Sequence, residues 1–154
     1  MASNSISNTR ALSTGSNEGA SAGSYVTLAG RFLFSAIFIM SGFFHFSPQD
    51  IAYAANAGVP APAFLVPASG ILALLGGLSI LLGYRAKIGG WLVVLFLVPV
   101  TLMMHNFWAQ KDPMMAQMQM AMFMKNVTMI GGALLISQFG AGPLSLDARR
   151  NSAR

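Results

Sequence analysis

Four long apolar runs dominate the chain, at about residues 25–46, 63–83, 88–108 and 117–139, with polar or Gly- and Pro-bearing stretches between them. Each holds roughly 20 residues, enough for a helix to cross a hydrocarbon core about 30 Å thick. Lipid offers the backbone no hydrogen-bond partners, so such runs must bond internally as helices. The pattern predicts an all-α integral membrane four-helix bundle over residues 25–147.

The segments between the runs are short, with one exception. Tyr84-Arg85-Ala86-Lys87 joins spans two and three, and about ten residues around Gln110-Lys111-Asp112-Pro113 join three and four. After span one, Ser47-Pro48-Gln49-Asp50 sets a capping Ser before a Pro at the first helical position, with an acid in the first turn. Gly58, Pro60 and Pro62 then break the chain. These signals predict a short interfacial or re-entrant helix at about 48–57. Residues 1–24, rich in Ser, Asn, Gly, Ala and Thr, read as a disordered tail without a signal-peptide core, and 148–154 as a basic tail.

Composition supports the membrane assignment: 55% of residues are hydrophobic and 8% charged, where soluble domains carry about 25% charge. The absence of cysteine excludes disulfides, thiol chemistry and thiolate metal or iron–sulfur sites. The net charge of +5 concentrates beside the apolar spans, which suits lipid headgroups and orientation and not nucleic acid. With the N-terminus inside, seven basic residues (Arg10, Arg31, Arg85, Lys87, Arg149, Arg150, Arg154) lie on inner segments and Lys111 alone on an outer one. That bias places both termini on the cytoplasmic side.

The two halves carry similar marks. His45-Phe46 precedes Asp50 as His105-Asn106-Phe107 precedes Asp112, and Gly76-Gly77 is matched by Gly131-Gly132. A parallel hairpin duplication and chance both account for this. Ser69, Ala73 and Gly77 recur every four residues, a small-residue stripe that lets another helix approach.

Taken in order, several segments are similar to the DoxX family of small four-helix membrane proteins. They are Arg31-Phe32-Leu33-Phe34 to Ser41-Gly42, Gly58-Val59-Pro60-Ala61-Pro62, Leu74-Leu75-Gly76-Gly77 to Leu81-Leu82-Gly83-Tyr84-Arg85, His105-Asn106-Phe107-Trp108, Phe123-Met124-Lys125-Asn126 with Gly131-Gly132, and Leu144-Ser145-Leu146-Asp147. The resemblance spans about residues 28–147. It implies a multi-pass protein of the bacterial cytoplasmic (inner) membrane, with relatives that include the small subunit of a thiosulfate:quinone oxidoreductase and members of oxidative-stress assemblies.

Ionisable groups inside a membrane usually face the bundle, so Lys125 within span four is the first candidate, although its stem also has the length to snorkel. Asn126 suits a helix–helix hydrogen bond. His45 and His105 end spans one and three at the outer face, where Trp108 fits an aromatic belt. Together His45, His105, Asn106, Trp108, Lys125 and Asn126 form a candidate headgroup site, at similar depth, for a quinone or small organic acid: His exchanges protons near neutral pH and Lys stabilises an anion. Copper at the Met114–Met124 cluster with His105 is disfavoured, because alternate helical positions diverge. A haem between His45 and His105 is equally disfavoured, since both rings would have to turn inward at one depth.

No catalytic constellation is visible, so the catalytic residues are unknown and an autonomous enzyme is not expected. The expected function is a membrane subunit of a quinone-linked redox system, partnered by another membrane or redox subunit or by itself. The alternatives are an assembly subunit without a ligand and a small-solute carrier.

Overall fold

The structure is a computed structural model that describes the backbone of residues 3–153 and the side chains of residues 22–153. It contains α1 (Ser3–Phe44), α2 (Pro48–Asn56), α3 (Pro62–Leu82), α4 (Ala86–Met104), a 3-10 turn at Phe107–Ala109, α5 (Pro113–Phe139) and α6 (Leu146–Ser152). Four stretches are long and apolar enough to cross a membrane: Ala22–Phe44, Pro62–Leu82, Ala86–Ala109 and Pro113–Phe139. The all-α membrane bundle read from the sequence is the fold observed.

Local chemistry explains the helix ends. The Ser47 hydroxyl accepts from the Asp50 amide at 3.1 Å with Pro48 behind it, which starts α2 where expected. Asp112 and Pro113 repeat that signal, the Asp112 carboxylate accepting from the Met115 amide at 2.8 Å. Hence α5 begins at Pro113, four residues before the start that hydropathy alone suggests. The backbone of α1 also continues N-terminally through the segment read as a disordered tail. Propagating a formed helix requires no new nucleus, so polar residues can extend an apolar one.

The helices pack in the order α1 on α3, α3 on α4 and α4 on α5, with α2 lying on α3. The core runs along this line through Phe38, Ala73, Ile80, Val93, Phe96, Leu97 and Ala133. Outside it the chain is apolar as well: Leu33 is 73% and Phe64 72% exposed, surfaces that suit a lipid bilayer. Most of the Met cluster faces outward in the same way, since Met114, Met115, Met118, Met120, Met122 and Met124 are all exposed.

Close approach depends on one glycine above others. A Cβ on Gly90 would lie 2.7 Å from the Ala133 carbonyl oxygen and 2.9 Å from the Ser137 nitrogen, both backbone atoms that cannot swing aside. Gly90→Ala should therefore destabilise the α4–α5 contact by about 1–3 kcal/mol. A Cβ on Gly131 would meet nothing within 4 Å, so Gly131→Ala should be neutral or stabilise by up to about 1 kcal/mol. Thermal unfolding in mild detergent compares them, and equal effects would contradict this packing.

Candidate ligand cavity

A cavity of about 600 Å³ opens between α1, α2, α3, α4 and α5. Its walls are largely apolar, with Phe38, Val66, Leu72 and Phe96 among them, and its polar lining includes His45, Asp50, Ser69, His105, Lys125 and Asn126. The volume falls within the ~300–1,000 Å³ range of small-molecule sites. An apolar body with a few converging polar groups is the usual make-up of such sites.

Helix contacts set the levels of these groups. A Cβ on Gly70 would meet the His45 Cβ, Gly76 faces Gly89 and Val93, and Gly90 faces Ala133 and Ser137. Followed at ~1.5 Å per residue along antiparallel helices, these contacts bring Lys125 and Asn126 within about one turn of His45. His105 sits farther out, because its ring bonds Gln119, which lies seven residues (about 10 Å) before Asn126 on α5. The expectation of one shared depth is thus corrected: His45, Lys125 and Asn126 form the inner group and His105 the outer.

Each ring is held by its Nδ1. His45 Nδ1–H donates to the Ser41 carbonyl at 2.7 Å, and the ring lies edge-on to Phe96 with centroids 5.5 Å apart. His105 Nδ1–H donates to Gln119 Oε1 at 2.8 Å. With the proton on Nδ1, a neutral ring leaves Nε2 as an acceptor. Asn126 is 4% exposed, and among the described residues its side-chain amide has no hydrogen-bond partner. Lys125 directs its ammonium to the Met122 sulfur at 3.4 Å, a weak acceptor for a full charge.

Two of the six candidate residues do not line the cavity. Asn106 accepts from the Gln110 amide at 3.2 Å within the outer connection. Trp108 is 59% exposed and meets Phe107 and Phe123 edge-on, with centroids 5.1 and 5.9 Å away, as an interfacial aromatic would. The sequence reading missed Asp50, Tyr53 and Ser69 as lining residues and Gln119 as the His105 partner. Gln119, Asn126 and Ala133 are spaced by seven and all buried, a polar-to-small stripe on one face of α5 that would have revealed Gln119.

The opposite end of the bundle is tied shut by the C-terminal segment. Asp147 accepts from the Arg85 amide at 2.8 Å and the Ala86 amide at 3.1 Å, capping α4 from 61 residues along the chain. Arg31 is 4% exposed, donates through Nη2 to the Leu144 carbonyl, and leaves Nε and Nη1 without partners. Gly83, at φ +63°, makes room for this guanidinium.

Fold and cavity together define a multi-pass helical membrane protein. The chain belongs to the SURF4 family, whose model matches residues 2–152. This corrects the resemblance to the DoxX family: closely spaced glycines, capped helix starts and aromatic helix ends serve any tightly crossed membrane bundle, so the fragments that carried the resemblance do not single out one family.

Two relatives match along most of their length. Inner membrane protein YqjF of Escherichia coli is 27% identical over 124 residues, covering 80% of this chain and 91% of that protein. Inner membrane protein YphA of the same organism is 27% identical over 124 residues, covering 79% and 88%. The ER-derived vesicles protein ERV29 of Saccharomyces cerevisiae is 28% identical over 80 residues, 52% of this chain, and the match spans 26% of the yeast protein. No solved structure matches the chain.

Proposed function

We propose that this is an inner-membrane protein whose cavity binds a molecule with an apolar body and one hydrogen-bonding headgroup, and that it acts as a binding subunit and not as an autonomous enzyme. The observation that carries the reading is Asn126, buried and unpartnered on the cavity wall. Among the described residues the fully buried unpaired side-chain atoms belong to Arg31, so the Asn126 amide stays open to the cavity, where a bound headgroup can reach it. His45 and Lys125, on the same cavity, add an acceptor and a cation.

A quinone belongs to this ligand class, since its carbonyl oxygens can accept from Asn126 and Lys125. The redox-subunit reading of the sequence rests on that ligand alone. Purification in mild detergent followed by native mass spectrometry tests the binding claim. An apolar-tailed molecule should remain bound near one equivalent and be lost in Asn126→Leu. Retention that ignores this substitution would contradict the proposal.

The distribution of basic residues supports termini inside and a cavity mouth, near His105, toward the outer face. The chain has no cysteine of its own, so single introduced thiols report cleanly. In intact spheroplasts a thiol from Gln110→Cys should react with an impermeant reagent, and one from Ser152→Cys should not. The reverse pattern would invert the orientation.

A further inference from the structure

The roof of the cavity is chemically unlike its deeper wall. Asp50 and Tyr53 sit three residues apart on α2, so they share one helix face, and both line the cavity. A carboxylate beside an aromatic ring is the combination that receives an ammonium group, through charge and through the ring's negative face. His45 and His105 add Nε2 atoms, which accept when the rings are neutral, since each Nδ1 faces an oxygen acceptor. The deeper wall supplies the Asn126 amide as a donor, with Lys125 beside it on the rim, its ammonium at the exposed Met122 sulfur and free to turn toward a ligand.

Acid and base do not satisfy each other. Among the described residues neither the Asp50 carboxylate nor the Lys125 ammonium has an ion-pair partner. Asp50 is half-buried and Lys125 exposed, so both charges are open to an incoming group, and a ligand that brings both complements satisfies the two at once. A quinone brings neither charge. An anionic lipid such as a phosphatidylglycerol answers Lys125 and leaves Asp50 unmatched.

We infer, resting on the binding role proposed above, that the ligand's headgroup is zwitterionic, of the phosphoethanolamine type, with its ammonium at Asp50 and Tyr53 and its acid group at Lys125 and Asn126. The apolar walls then take the first part of the acyl chains. Asp50 also serves α2 as a first-turn acid, a small charge–dipole interaction that a neutral residue there gives up, while the Ser47 cap remains. Asp50→Asn retains an N-terminal helix former while removing the charge that selects an ammonium.

The test uses the purified full-length chain and two lipids with identical dioleoyl chains, phosphatidylethanolamine and phosphatidylglycerol, competed at equal concentration and read by native mass spectrometry. Wild type should retain the ethanolamine lipid about tenfold over the glycerol lipid, the effect of one charge-assisted hydrogen bond. Asp50→Asn should reduce that preference to about twofold or less with only a small drop in thermal stability, and Lys125→Gln should weaken both lipids. Soluble phosphoethanolamine forms the third arm. Displacement of the lipid by it assigns a free zwitterion as occupant, failure to displace assigns the lipid, and both uphold the headgroup chemistry. Equal retention of the two lipids by wild type, or a preference that survives Asp50→Asn, overturns the inference. Should either lipid, or ubiquinone supplied alone, still be held in an Asn126-dependent way, the cavity proposal stands without the zwitterion. If wild type retains none of the three, both fall.

Discussion

Asp147→Ala is expected to lower the stability of the detergent-solubilised protein by on the order of 2–4 kcal/mol. Its carboxylate holds two backbone amides, Arg85 and Ala86, at the start of α4, and hydrogen bonds to charged groups contribute about 1.5–3 kcal/mol each before solvent exposure is discounted. The helix cannot cap itself, since its cap position is Arg85 at φ +49° with no side-chain bond to the first turn. The same substitution loosens the C-terminal segment, whose Asp147 amide donates to the Gly83 carbonyl at 2.8 Å and whose Leu144 carbonyl receives buried Arg31. Asp147→Asn keeps one acceptor and should lose roughly half as much. Thermal unfolding of the two variants beside wild type decides the matter, and an Ala variant as stable as wild type would remove the C-terminal segment from the account of the fold.

Asn126→Leu should behave in the opposite sense for stability and strongly for binding. Replacing an amide that no described residue pairs by an apolar side chain of similar size breaks no hydrogen bond within the chain, so the empty protein should be about as stable as wild type or slightly more stable. Retention of the headgroup ligand should fall about tenfold or more, the loss of one hydrogen bond to a buried donor. Equal loss of stability and binding would mean instead that Asn126 is a structural residue of the α4–α5 contact.

Much of the fold was legible because hydropathy in lipid is nearly a structural code: length and the need for internal hydrogen bonds leave helices as the solution. Ser47-Pro48 marked α2 correctly. Asp112-Pro113 carries the same capping physics and marks the start of α5, four residues before the start of the run as hydropathy alone gives it. Asp147 was unreadable as the cap of α4, because nothing local ties a residue to an amide 61 positions away.

The candidate site was legible in part for a related reason. His45, His105, Lys125 and Asn126 stand out as polar groups in apolar runs, and all four line the cavity. Asp50 and Tyr53 belong to a helix whose sequence explains itself by capping alone, so nothing called for a second role. Asn106 and Trp108 were included because they neighbour His105 in sequence, but the chain leaves α4 at that residue and carries them into the outer connection.

A structure of the full chain in a lipid nanodisc tests the central claim most directly. The account predicts a headgroup in the cavity with a polar atom within hydrogen-bond distance of the Asn126 amide, and an apolar tail running between Phe38, Leu72 and Phe96. A cavity closed by its own side chains, with Asn126 paired to another residue of the chain, would contradict it.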